Sequence, residues 1–171
     1  TQSALLEAMN EGQVTVDDTT HPLPQPFLVL ATQNPLEFAG TYPLPESQLD
    51  RFMVRVSIGY PDATVEREII RTLGHRDASL EVHELLHADD VARMQAQTAL
   101  VHGSDPVLAY LQALIAGTRD SPYLSLGVST RGAISLYRAC QGRAYLAGRD
   151  HVLPDDVKAL AAKGVKATGF D

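Results

Sequence analysis

The chain has 171 residues, enough for one ordinary domain or two small ones. Its 44% hydrophobic content allows real cores, and its net charge of −7 argues against a general nucleic-acid or anionic-membrane surface. The single cysteine, Cys140, rules out an internal disulfide framework and suits a reducing cytoplasm, while no apolar run reaches the roughly 18–20 residues that span a bilayer.

The chain opens on Thr1-Gln2-Ser3-Ala4-Leu5-Leu6, with no initiator methionine, and reads as part of a longer protein. Leu5, Leu6 and Met9 at helical spacing predict a helix over 1–10, stopped by Gly12. Gln13-Val14-Thr15-Val16 alternates as a strand, Asp17-Asp18 turns, and 20–23 returns, which predicts a hairpin. Pro22, Pro24 and Pro26 restrict the return strand to an exposed edge or an extended passage. Residues 27–31 show no polar alternation, as in a strand buried on both faces, and 53–58 alternates as a further strand. Between them lie a proline-rich loop and a short helix or turn over 46–51. From Gly59-Tyr60-Pro61-Asp62, the best domain boundary, every segment looks helical, with helices over about 63–74, 88–100, 106–117, 130–147 and 154–163. Asp105 with Pro106, and Ser129, have the chemistry of helix starts, and Gly148 that of a helix end.

Two residues in the first part point to chemistry. Asn34 is a polar amide at the carboxyl end of a predicted strand, where open parallel sheets bind their ligands. Asparagine before proline is also an ordinary turn residue. Arg51 is a permanent cation of the kind that stabilises charge on a transferring phosphoryl group. Its bland alternative is a weak surface ion pair with Asp50, although adjacent helical residues seldom face each other. Together they suggest nucleotide hydrolysis, yet the chain has no phosphate-binding loop.

Ala31-Thr32-Gln33-Asn34-Pro35, Gly40-Thr41-Tyr42-Pro43-Leu44-Pro45-Glu46 and Gln48-Leu49-Asp50-Arg51-Phe52, with the opening Thr1 to Met9 and Gln13 to Val16, resemble the MoxR family of AAA+ ATPases. Looser matches follow in Ser129-Thr130-Arg131-Gly132-Ala133, Gly148-Arg149-Asp150 and Pro154-Asp155-Asp156-Val157. The resemblance implies an α/β fold: the C-terminal part of a P-loop AAA+ core, with parallel strands and a β-hairpin, over 1–60, then an all-α helical lid over 61–171. It puts the Walker A loop and the Walker B acids upstream of Thr1. Asn34 matches sensor 1, which orients the attacking water. Arg51 matches the arginine finger, which reaches a neighbouring subunit's nucleotide, and Arg131 matches sensor 2, which contacts the γ-phosphate of its own. The hairpin resembles an insertion that faces the pore or a partner. ATP and Mg2+ are the implied cofactors, held mainly by upstream residues. A cytoplasmic homo-oligomer, a hexameric ring, is implied, remodelling proteins with von Willebrand factor A domains. Neither nucleic acid nor membrane insertion is implied, and residues 1–171 alone are expected to be inactive. Two departures stand out: Thr130 replaces the usual proline before the sensor 2 arginine, and 163–171 lacks the expected closing helix.

Two other function classes compete. The chain can be a non-catalytic binding module, with the lid and hairpin as docking surface. Alternatively, His83-Glu84-Leu85-Leu86-His87 matches the zinc-hydrolase pattern, which needs one continuous helix through both histidines and a third ligand such as His102 or His151. Cys140, Leu136, Tyr137, Ala144 and Tyr145 read as lid core, and Asp89-Asp90 and Asp155-Asp156 as capping and solvating groups at helix starts.

Overall fold

A computed structural model of the chain describes residues 2–32, 45–73, 83–124 and 126–164. Helix α1 (Gln2–Glu11) is followed by Gly12, whose φ of +64° is the left-handed conformation that glycine adopts freely. Strands β1 (Gln13–Val16) and β2 (Thr19–Pro22) pair antiparallel, from Gln13 opposite Pro22 to Val16 opposite Thr19. The two-residue turn has φ of 47° at Asp17 and 61° at Asp18. Positive values at both positions match the twist of the flanking strands, and aspartate tolerates them better than most residues. The Glu7 carboxylate accepts from the Thr15 amide (3.2 Å) and hydroxyl (2.6 Å), tying the hairpin to α1.

The strands expected over 27–31 and 53–58 are not formed. A strand exists through its ladder, and among the described residues neither segment has a partner. Their apolar side chains stay in solvent, with Leu30 87% and Ile58 99% exposed. The β content of the described residues is therefore the hairpin, with one isolated bridge between His102 and His151.

The helical part follows its sequence closely. Helix α2 (Glu46–Leu49) is a single turn. Helix α3 (Ala63–Leu73) is capped by Asp62, whose carboxylate accepts from the amides of Thr64 and Val65. Helices α5 (Asp105–Arg119), α6 (Thr130–Leu146) and α7 (Pro154–Gly164) share one core, and α4 (Ala88–Ala99), which has no buried residue, packs on the outside of α6. Val107, Leu111 and Ile115 recur every four residues on α5, as do Leu136, Cys140 and Ala144 on α6, so each helix turns one stripe inward. Each fully buried large aliphatic chain contributes about 1.5–3 kcal/mol. Tyr137 and Tyr145 pack at the edge of that core, as expected. The α4–α5 connection is strapped to the α6–α7 connection, since the His102 amide donates to Asp150 O and the Val152 amide to His102 O, both at 2.8 Å.

The helix ends agree with their signals, with one correction. Ser104, not Asp105, is the extended residue before α5, and Asp105 and Pro106 occupy the first two helical positions. A proline suits either place, because the first amides of a helix have no partner within it. Ser129 caps α6 by accepting from the Gly132 amide at 2.9 Å. Gly148, at φ +71°, closes α6 with a pair of bonds. Its own amide donates to Tyr145 O and the Arg149 amide to Ala144 O, both at 2.9 Å.

Candidate functional site

The segment holding Arg51 is wound tightly. The Gln48 amide donates to Pro45 O (2.8 Å), that of Arg51 to Gln48 O (3.2 Å) and that of Phe52 to Leu49 O (3.0 Å). These three-residue loops fix Asp50 and Arg51 to one another and to α2. Asp50 does not form the ion pair weighed for it with Arg51. The Ser129 hydroxyl lies 2.8 Å from both of its carboxylate oxygens and donates to them. Arg51 itself is half-buried, and its Nε is enclosed with no hydrogen-bond partner, as is Oε1 of Gln48 three residues earlier. A buried guanidinium nitrogen without an acceptor is costly, so this side chain is incompletely satisfied among the described residues.

Arg131 is exposed at the second position of α6, two residues after the Ser129 cap. A cation there meets the positive end of the helix dipole, and the Asp50 carboxylate beside the cap offsets part of that cost. The Asp50–Ser129 contact thus joins the turn that bears Arg51 to the helix start that bears Arg131. Just beyond it, Met53 and Val54 line an apolar groove with Leu86, Met94, Ile134 and Tyr137. Asn34 lies outside the described residues, as do Gln33 and the Gly40 to Leu44 part of the family motif.

A second polar cluster joins the end of α6 to the start of α7. Asp156 is 2% exposed and is held by Arg149 (2.8 Å to each oxygen), Arg143 Nε (3.0 Å) and the Leu153 amide (2.9 Å). The Arg149 hydrogen bonds, reinforced by the Leu153 amide and by Arg143, keep its carboxyl below the usual carboxylate range despite burial. Asp156 is therefore a buried structural anchor, whereas its neighbour Asp155 meets the expectation of a solvated group, 3.3 Å from Lys158 Nζ. The same contact unites two motifs, Gly148-Arg149-Asp150 and Pro154-Asp155-Asp156. Cys140 is fully buried, and burial, with the Asp156 charge, pushes its thiol up to about 11. It is a core residue, not a nucleophile.

The zinc pattern fails on geometry. Residues 83–87 are not helical, because α4 begins only at Ala88, with the Asp90 carboxylate accepting from the His87 amide at 2.9 Å. His87 Nδ1 instead faces Glu84 Oε1 at 3.0 Å. Two histidines that do not share a helical turn cannot present the paired ligands this chemistry needs. Among the described residues no three ligating side chains converge.

Sequence reasoning missed two partnerships, Asp50 with Ser129 and Asp156 with its two arginines. Ser129 was legible as a cap, but its partner is 79 residues away, and no local signal pairs them.

Comparison with known proteins bears directly on this arrangement. The family model of ATPases associated with various cellular activities (AAA) matches residues 1–54, and the AAA lid domain model matches 116–163. The uncharacterized protein YeaC of Bacillus subtilis is 45% identical over 162 residues, covering 94% of this chain and 50% of YeaC. Chaperone MoxR1 of Mycobacterium tuberculosis is 38% identical over 165 residues, covering 91% of this chain and 43% of MoxR1. A crystal structure from Cytophaga hutchinsonii, provisionally assigned as an ATPase, superposes with a TM-score of 0.85 at 42% identity, over 95% of this chain and 52% of the other. The chain spans about half the length of the relatives it matches.

Proposed function

The chain belongs to the MoxR family of AAA+ ATPases, and from that premise we propose that the whole protein couples ATP hydrolysis to chaperone-like remodelling of partner proteins. We place the core–lid boundary near residue 60. In this reading Arg51 is the arginine finger, offered to the nucleotide of a neighbouring subunit. Its guanidinium is permanently charged, so it stabilises a transferring phosphoryl group with no proton transfer. Arg131 contacts the nucleotide of its own subunit, and Asn34 holds the attacking water. Mg2+-ATP supplies the bond to be broken, and its phosphate and metal ligands belong mainly to residues outside this chain.

The observation that carries the reading is the placement of the two arginines. Each lies within two residues of one end of the Asp50–Ser129 contact, and Arg51 retains an enclosed Nε with no acceptor among the described residues. Cations so placed suit a polyanion shared between subunits, which favours a ring; we propose a cytoplasmic hexamer. The exposed hairpin, pinned at Thr15 to α1, is suited to face the pore or a client, for which a protein with a von Willebrand factor A domain is the candidate.

The test is Arg51→Ala in the full-length assembled protein. ATP should still bind, while Mg2+-dependent turnover falls by on the order of 10³-fold, the range that such arginines supply. Full turnover in that variant would sink the assignment. Chelating Mg2+ should abolish turnover in the wild type.

A further inference from the structure

Among the described residues, the bonds from Ser129 Oγ to Asp50 are the only hydrogen bonds between the segment before residue 60 and the helices after it. Both partners are held from behind. Asp50 sits within the tight turns that follow α2, and Ser129 is fixed by the Gly132 amide on its own oxygen. Capping α6 needs only that last bond. The Asp50 carboxylate adds a restraint that the helix start does not itself require. A shift of α6 is therefore delivered to Asp50, and Arg51 is one peptide bond away.

We propose that Asp50 is a positioning residue which, through Ser129, couples the placement of Arg51 to that of the helix start bearing Arg131. The coupling rests on the reading of those two arginines given above. In a ring it has a definite consequence. Arg131 responds to the nucleotide of its own subunit and Arg51 acts on the neighbour's, so the link passes occupancy at one boundary to catalysis at the next. Bound ATP that draws Arg131 inward sets α6, α6 sets Asp50, and Asp50 sets the finger.

The test follows turnover against ATP concentration in the full-length assembled protein, for wild type, Asp50→Ala, Ser129→Ala, the double variant and Ser129→Thr. The wild type should respond cooperatively. Asp50→Ala and Ser129→Ala, with assembly intact by sedimentation, should each bring the Hill coefficient to about 1 and lower turnover roughly 10- to 100-fold. The double variant should be no worse than either single one, because the same link is cut twice. Ser129→Thr keeps a hydroxyl and should keep the cooperativity. Losses that add in the double variant, unchanged cooperativity in Asp50→Ala, or a wild type without cooperativity each overturn the proposal. If Asp50→Ala does not assemble, Asp50→Asn, whose amide oxygen still accepts from Ser129, decides: retained cooperativity supports the link and its loss overturns it. Arg51→Ala separates the two levels. Full turnover there removes the finger reading itself, whereas lost turnover beside a wild-type-like Asp50→Ala leaves that reading standing and removes only the coupling.

Discussion

A carboxylate almost out of water must be matched, and Asp156 is matched by two guanidinium groups and a backbone amide. Its partners are less enclosed, with the Arg143 and Arg149 side chains 51% and 24% exposed, so water softens the loss of either. Removing the acid leaves both arginines uncompensated, and Asp156→Ala should cost about 3 kcal/mol, the low end for breaking a buried pair. The pH dependence has a fixed sign. The folded protein holds this carboxyl below its ordinary 3.8, so its stabilisation is fully present above that value and is lost as pH falls through the depressed one. Chemical denaturation of wild type and Asp156→Asn should give a constant difference between about pH 5 and 8 and a shrinking one below about pH 4. A difference that grew on acidification would contradict the assignment. Asp150, lowered chiefly by its hydrogen bond to His151, is surface-exposed and contributes little to this slope.

At the level of elements, what the sequence revealed depended on where each signal came from. Helices α4 to α7 were legible because periodicity and cap chemistry are local: Ser129 caps, Gly148 closes, and the stripe through Leu136, Cys140 and Ala144 turns inward. The hairpin was legible for the same reason. Residues 27–31 and 53–58 have strand composition, but a ladder requires a neighbour that composition cannot supply. Asp50 was visible only as the companion of Arg51, since its real partner comes from a distant helix. Packing between elements also sets two glycines apart. A Cβ at Gly127 would stand 2.5 Å from the Arg119 Cα, which is backbone, whereas one at Gly103 would stand 2.6 Å from the Tyr137 hydroxyl, at the end of a side chain. Arg119 is also held by its Nε bond to Val128 O at 2.9 Å, so it cannot yield easily. Gly127→Ala should therefore cost about 1–3 kcal/mol of stability and lower the melting temperature more than Gly103→Ala does. Equal effects would show that the loop before α6 adjusts.

The whole molecule is uneven in how it is held. Every member of the buried apolar cluster lies between Val101 and Val157, while the first sixty residues bury only Ala8 among their described apolar side chains. Ile58 and Tyr60, at 99% and 96% exposure, and Leu28, at 76%, leave large apolar side chains in solvent. Residues 1–171 alone should accordingly bind a hydrophobic dye and show no Mg2+-dependent ATP turnover, whereas the full-length protein should turn over ATP. Turnover by the 171-residue chain would overturn the division of the site proposed here.

The core of the lid also bears on the order in which the chain is made. Residues 101–157 leave the ribosome after the first sixty, and they supply every member of the buried apolar cluster. The apolar segments around Leu28 and Ile58 emerge sooner and must wait for partners. The bond between Asp50 and Ser129 cannot form until residue 129 has been translated and α6 has its first turn. Asp50, and with it the turn that carries Arg51, therefore gains this tie only after the start of α6 has folded.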